Sequence, residues 1–254
     1  MSTDARVEAI RIHPVKSLTA QDLDAVDVIE GQGLPNDRRF AITHKASRFD
    51  PAEPTWQPKQ QFLNLMRHER LAQLDSHFDA DSGTLTLSRG GRPVAKGKVT
   101  TPLGRELINQ FLSAFVGQEA RGAAKLVEVP DVSLADRNAP FISIISAATV
   151  RDLERVVRKQ LDPKRFRGNL LIDGAEPWAE FDWVGKTVTV GSAQLEIIER
   201  IGRCEATNVN PATAERDANI PKALLDGYGH ADCGVMAVVT QPGTIRIGDA
   251  LALT

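Results

Sequence analysis

Cysteine is nearly absent from this chain: 254 residues carry two, Cys204 and Cys233. Two thiols cannot build a disulfide framework, and they cannot supply the four ligands of a common iron–sulfur cluster. Net charge is also nearly absent, at -2. A near-neutral chain argues against a general polyanion surface, so nucleic acid is not an expected partner, although local basic clusters can still hold one small anion. No uninterrupted apolar run approaches membrane-spanning length, and no membrane partner is expected. The start, Met1-Ser2-Thr3-Asp4-Ala5-Arg6, lacks the basic-then-apolar order of a signal peptide. A reducing cytoplasm is the expected compartment. Internal repeats and low-complexity tracts are absent too. The histidines, His13 and His230 among them, show no metal-ligand spacing.

What is present is a series of short alternating segments. Val7–Ile12, Ala25–Ile29 and Arg39–Thr43 read as strands, and Leu71–His77 and Leu85–Ser88 flank the turn Asp81-Ser82-Gly83. Residues His44 to Lys59, rich in proline, form an expected surface loop of functional or mobile character. Arg105–Phe115 has helical spacing with Gly117 as its cap, and a small polar junction follows at Gln118–Ala124. Beyond it the pattern predicts a strand at Phe141–Ile145 and a helix from Ser146 as N-cap to Leu161. Further strands are expected at Leu170–Ile172, Thr187–Val190, Gln194–Glu199, Val235–Thr240 and Thr244–Ile247, with a short helix at Pro221–Leu225. The predicted class is mainly β with some α: an N-terminal β-barrel-like domain over residues 1–122 and a second β-barrel domain with peripheral helices over 123–254.

Four polar segments exceed what packing requires. His13-Pro14-Val15-Lys16-Ser17-Leu18 puts an ammonium and a hydroxyl at a strand exit, a pairing suited to one phosphate. Asn36-Asp37-Arg38-Arg39 presents two arginines before a strand, where alternation lets at most one point inward. Arg167 and Asn169 lie two apart, hence on one face of an extended segment, and together can hold a planar heterocycle or a phosphate. Arg203-Cys204 places a thiol beside a guanidinium, with Arg200 near, and positive charge favours the nucleophilic, metal-binding thiolate. Each has a plainer reading: a solvated turn, an edge-strand charge, a polar connector, a small buried thiol. The residues alone leave both readings of Cys204 open, and a Cys204–Cys233 redox pair is a further option. Jointly the segments suit an anionic, hydrogen-bond-rich cofactor carrying a thiophilic metal.

At these segments the chain resembles the MOSC family with its N-terminal β-barrel domain. Pro14–Ser17, Gly33–Arg38, Arg165–Asn169, Arg203–Thr213 and Gly243–Asp249 occur in the family's order, over roughly Val7 to Leu253. The resemblance implies a molybdenum-molybdopterin cofactor whose metal is bound by the pterin dithiolene and by the cysteine matching Cys204, which is also the catalytic position. The cofactor-contacting residues of the family match Lys16, Ser17, Arg38, Arg167, Asn169 and Arg203. Where relatives carry Thr-Ser-Pro-Phe this chain has Asn138-Ala139-Pro140-Phe141, and Asn138 partly substitutes for the lost hydroxyl. Cys233-Gly234 and Met236 also depart from frequent family residues. Some relatives, among them the mitochondrial amidoxime-reducing component, reduce N-hydroxylated compounds, and bacterial ones detoxify N-hydroxylated bases. The expected function is therefore reduction of a small N-hydroxylated substrate, with electrons from a separate ferredoxin-, flavin- or cytochrome-type protein. The alternative is a non-redox carrier of cofactor or sulfur using a Cys204 persulfide. With its last residue at Thr254, the chain is expected to lack the ferredoxin-like domain of larger relatives. A preceding pyridoxal-phosphate-dependent sulfurase domain, and with it a cysteine desulfurase activity, is not expected, so pyridoxal phosphate is expected only as an inherited family label.

Overall fold

The computed structural model describes residues 2–120, 122–129 and 131–254. The first half carries β1 (Ser2–Ile12), β2 (Gln21–Leu23), β3 (Ala25–Val28), β4 (Phe40–Thr43), β5 (Asp75–Asp79), β6 (Thr84–Arg89), β7 (Arg92–Lys98) and helix α1 (Pro102–Val116). Then follow β8 (Lys125–Glu128), β9 (Ile142–Ser146), α2 (Ala147–Val157), β10 (Leu170–Asp173), β11 (Thr187–Val190) and β12 (Ala193–Gly202). Helix α3 (Ile220–Tyr228), β13 (Asp232–Gln241), β14 (Gly243–Arg246) and β15 (Ala250–Leu253) complete the chain. The mainly β architecture with peripheral helices is as expected.

Seven strands close on themselves in the order β1-β10-β9-β13-β12-β11-β15, with β15 returning to β1 and β2 added at the side. Closure removes the unpaired edges that make open sheets aggregate. The alternating strands aim Val7, Ile144, Val188, Leu195, Ile197, Val235 and Val239 into the barrel, where they pack as one cluster. Strand β1 comes from the first half of the chain, yet it completes this barrel by pairing antiparallel with both β10 and β15. The next residues after β1 are thereby held at the barrel's rim.

The second assembly is smaller. Strands β5, β6 and β7 form an antiparallel meander, and β4 pairs with β8. Helix α1 lies against β7 because two glycines meet there: a Cβ on Gly97 would come within 2.2 Å of the Gly104 carbonyl oxygen. Thr101 caps α1 by accepting from Gly104 N–H. Its core of Phe40, Leu63, Leu71, Leu85, Leu87 and Ile108 also takes in Val15 and Leu18, which flank Lys16-Ser17, and Val209 and Ala214 beyond Cys204. Both loops are thus anchored by burying their apolar neighbours, which leaves the polar residues between the two cores. A third layer packs α2 and α3 outside β9 and β10.

Several boundaries differ from the sequence reading. Residues 69–73 coil into a short 3-10 turn, so the strand after them starts at Asp75. Helix α1 begins three residues earlier than the spacing predicts, and α2 ends at Val157 because Arg158 turns left-handed with φ 56°. Strands β2, β7, β8 and β15 were not foreseen. Among the described residues, no helix is long and apolar enough to cross a membrane.

Candidate functional site

The loop after β1 is fixed by backbone bonds before any side chain acts. Lys16 N–H donates to Phe40 O at 2.7 Å, and Phe40 N–H donates to Pro14 O at 2.9 Å. Ser17 sits at φ 72°, a conformation few non-glycine residues hold without surrounding support. The Asp37-Arg38 turn locks onto the same loop. Arg38 N–H donates to His13 O at 2.8 Å, and the Asp37 carboxylate accepts His13 N–H at 2.7 Å. Arg38, itself left-handed, pairs with Asp37 and donates to Arg167 O at 2.8 Å. Arg39 turns away to Glu128 and Asn36. One of the two arginines faces the cleft, but both precede β4 and Arg38 is in a left-handed turn, so the turn and not strand alternation separates them.

The other two segments are stitched to these in the same manner. Arg167 Nη1 donates to Leu18 O at 2.7 Å. Arg203 Nη1 donates to Phe166 O at 2.8 Å, and its Nε donates to Cys233 O at 2.7 Å. Gly234 makes room for this clamp: at φ 79°, its Cβ would stand 2.5 Å from Ile144 O and 3.2 Å from Arg203 Nη2. Each guanidinium holds the backbone of a neighbouring segment, so the cations are positioned by directed bonds rather than by one another.

The result is a cleft of about 430 Å³ lined by Lys16, Ser17, Arg38, Arg167, Arg203 and Cys204. Cys204 follows the end of β12 as a partly buried residue, and its carbonyl accepts from Thr207 N–H and Oγ1–H. Cys233 is fully buried among Ile145, Phe166, Leu224 and their neighbours, where burial pushes its thiol up to about 12. Both cysteines are free, and Cys233 does not line the cleft.

Two sequence candidates lie elsewhere. Asn169 is 0 % exposed and does not line the cleft. Its Oδ1 accepts from Ser143 N–H and Oγ–H, and its Nδ2 donates to Arg11 O, so the amide ties β9, β10 and β1 together. Asn138 is exposed and lines a neighbouring cavity of about 420 Å³ with Gln32, Asn36 and Asp37. Sequence reasoning missed Lys59, Asp136, Arg137, Met66 and Met236 as cleft residues. Lys59 ends the loop marked as functional, and Arg137 precedes Asn138, so proximity to flagged segments was the available signal. Asp136 gave none: its carboxylate pairs with both Lys16 and Lys59 from an irregular segment.

The electrostatics favour a bound anion. Burial lowers the Lys16 pKa against the pull of Asp136, and Arg38 and Arg167 press it further down. Burial opposes ionisation of Asp37, but Arg38 and the His13 contacts outweigh it and hold that carboxyl below the usual range. Burial, then Arg167 and Arg38, push His13 down to about 3, so its ring is neutral at physiological pH. Arg167, desolvated and beside Arg38, falls to about 9 and stays protonated. One of its nitrogens, Nη2, is buried without a hydrogen-bond partner. Crowded cations of this kind are relieved by an anion that accepts from several of them.

These segments fall within two matched families. Residues 4–125 match the MOSC N-terminal beta barrel domain, and residues 131–252 match the MOSC domain. The chain belongs to the MOSC family. Among curated relatives, the human protein named mitochondrial amidoxime-reducing component 1 is 29% identical over 127 residues, covering 45% of this chain and 37% of its own length. A zebrafish molybdenum cofactor sulfurase is 40% identical over 78 residues, covering 31% of this chain and 8% of that one. The Caenorhabditis elegans molybdenum cofactor sulfurase is 22% identical over 232 residues, covering 84% of this chain and 30% of its own. The MOSC chain therefore spans little more than a third, or less, of these relatives. The solved YUAD protein from Bacillus subtilis aligns over 97% of this chain and 93% of its own, at 14% identity and a TM-score of 0.45.

One buried acid of this MOSC protein lies outside the cleft. Glu180 is 0 % exposed, accepts from Thr149 Oγ1 at 2.9 Å, and is pushed up to about 7 by burial. Between pH 4.5, its ordinary value, and 7, the native carboxyl keeps its proton while the unfolded one releases it. Stability is then lost as pH rises through that window, by about 3 kcal/mol from this group. His13 works the other way, losing stability as pH falls below 6.5. Denaturant titrations at several pH values should show the Glu180 slope in the difference between the native protein and Glu180→Gln. Equal pH slopes in the two would contradict the burial of an ionisable carboxyl.

Proposed function

We propose that this protein binds a molybdenum cofactor in the cleft and reduces N-hydroxylated compounds with electrons from a separate donor protein. The observation that carries the reading is that the free Cys204 lines a cleft walled by Lys16, Arg38, Arg167 and Arg203. The donor set fits such a group. Among the described residues no cluster of three histidine, cysteine or acidic side chains could hold a metal ion unaided. A metal here must bring most of its ligands with it, as a dithiolene carrier does, and a lone protein thiolate completes a soft set. The buried, unpartnered Arg167 Nη2 is a donor suited to the carrier's anionic end.

In this reading Lys16, Ser17, Arg38, Arg167 and Arg203 hold the pterin and its phosphate, and Cys204 ligates the metal. The bound cofactor supplies two-electron redox chemistry at molybdenum. The chain's own residues orient it: the guanidiniums are pre-set by bonds to Leu18, Phe166, Cys233 and Arg167 carbonyls, so little reorganisation follows binding. The overall reaction takes a hydroxylamine, two electrons and two protons to an amine and water. The two names borne by the relatives, amidoxime-reducing component and molybdenum cofactor sulfurase, support the cofactor class.

A free, only partly buried Cys204 in the cleft also suits the second reading, a carrier with a Cys204 persulfide. Cofactor-loaded protein supplied with an artificial reductant decides between them. Steady consumption of benzamidoxime with matching benzamidine formation supports the reductase. No turnover, together with a sulfane-sulfur mass adduct on Cys204, supports the carrier instead.

A further inference from the structure

One surface of the smaller assembly combines bare apolar side chains with unpaired cations. Leu103, Leu107, Phe111 and Phe115 recur at every fourth position of α1, a row about 18 Å long on the helix surface. The helix buries its Gly104, Ile108 and Leu112 face in the core. A second flank is turned to β8, where Asn109 Oδ1 accepts from Leu126 N–H and Ser113 Oγ–H donates to Ala124 O. The row is left on the remaining flank, beside the edge of β7, which among the described residues pairs with β6 alone. Its outer end is open: Leu103 is 72 % exposed, Leu107 47 %, and Val94 on β7 41 %. Single exposed leucines are ordinary, but a row of them beside an unpaired strand edge is a contact surface.

Positive charge borders the row. The segment Arg89–Lys98 carries Arg89, Arg92, Lys96 and Lys98 and no acid. All four are exposed. Among the described residues none of them pairs with a carboxylate, whereas Arg70 and Arg105 nearby are taken by Glu119 and Glu128. Arg89 stands 5.8 Å from the Phe115 ring at one end of the row. At the other end Gly104, next to Leu103 in sequence, packs so closely that its Cβ would lie 2.5 Å from Lys98 N. The cations thus run the length of the row. Glu106 borders it too, and accepts from Gln110 Nε2 at 3.1 Å.

These features choose among partners. A second copy would bring four cations against four, since a symmetric pair meets through the same patch on each chain. A partner helix lays its apolar face into a groove, and this row stands on the convex surface of a helix. A nucleic acid would engage the cations and leave the leucines in water. A lipid surface with anionic headgroups uses both: apolar side chains enter the boundary of headgroups and acyl chains, and the lysine and arginine heads extend to the phosphates. We propose that the α1–β7 edge lies on an anionic lipid surface, with Leu103, Leu107 and Val94 inserted and the cations of Arg89–Lys98 set against lipid phosphates. The contact is peripheral and reversible and calls for no spanning segment. It requires neither cofactor nor turnover, so it is independent of the proposed reductase.

Flotation of the full chain with lipid vesicles tests it. At about 50 mM salt, partition onto phosphatidylcholine vesicles with about a third phosphatidylglycerol should exceed partition onto pure phosphatidylcholine by about tenfold or more, and it should fall as salt rises to about 500 mM. Leu103→Gln/Leu107→Gln and Lys96→Gln/Lys98→Gln should each weaken binding to the anionic vesicles about tenfold. All four side chains are exposed, so both variants should melt like the wild type, which separates lost binding from lost fold. Absent binding, or equal partition onto the two vesicle types, overturns the proposal. Wild-type binding by the leucine variant does so as well, because the patch would then be a general polyanion site. A dimer formed without vesicles, and dissolved by the leucine variant, would assign the row to a second copy and also overturn it.

Discussion

Cys204→Ser should abolish reduction of N-hydroxylated substrates, by about 100-fold or more, while leaving the protein folded. The two effects separate because Cys204 contributes little to packing. It is only partly buried, and it lies outside the apolar clusters that hold the two cores together. What its backbone contributes, the carbonyl that accepts from Thr207 N–H and Oγ1–H, is kept in serine. A change at such a position should shift the melting temperature by less than about 3 °C. The catalytic loss follows from ligand chemistry: a serine hydroxyl is hard and protonated at neutral pH, and thiophilic centres select sulfur. Circular dichroism and melting curves, run beside benzamidoxime turnover, check both halves. Undiminished turnover would remove Cys204 from the chemistry.

Asn169→Ala should do the reverse, costing stability in protein that has never held cofactor. The Asn169 amide joins three strands at once. Its Oδ1 takes Ser143 N–H at 3.1 Å and Ser143 Oγ–H at 2.7 Å, and its Nδ2 reaches Arg11 O at 3.1 Å. The site is fully buried. Truncation would strand a backbone donor and a backbone acceptor without water, so a loss of about 3 kcal/mol is expected, with a fall in melting temperature near 10 °C. Chemical denaturation of the cofactor-free variant measures it. If Asn169 served the cofactor alone, cofactor-free stability would not change.

The contrast between these two residues shows what the sequence carried and what it did not. Most strands of the barrel, though not β15, were legible because alternation at Val7–Ile12, Thr187–Val190 and Val235–Thr240 reports a one-sided burial. Strand β8 was hidden because it is four residues long and follows a run of small residues. Strand β7 was hidden because its burial pattern is almost wholly exposed and it contains Pro93. The first turn of α1 was missed because Leu103 faces solvent and Gly104 replaces an apolar residue, so the helical period starts only later. For the site, the motifs placed Lys16, Ser17, Arg38, Arg167, Arg203 and Cys204 in one cleft. They could not say that Asn169 would spend its amide on Ser143, 26 residues away in sequence, and on Arg11, 158 away. Long-range partners decide whether a polar side chain is a tool or a strut. The unpartnered nitrogen of Arg167 belongs to the same class of fact, since it emerges only when every other partner has been counted.

The account rests on one sulfur at the meeting of the two cores, and molybdenum content per chain tests it most directly. Protein from a host that makes the cofactor, passed through a desalting column, should carry close to one molybdenum per chain, and Cys204→Ser prepared in parallel less than about a tenth of that. Full retention of molybdenum by the serine variant would contradict the role assigned to Cys204.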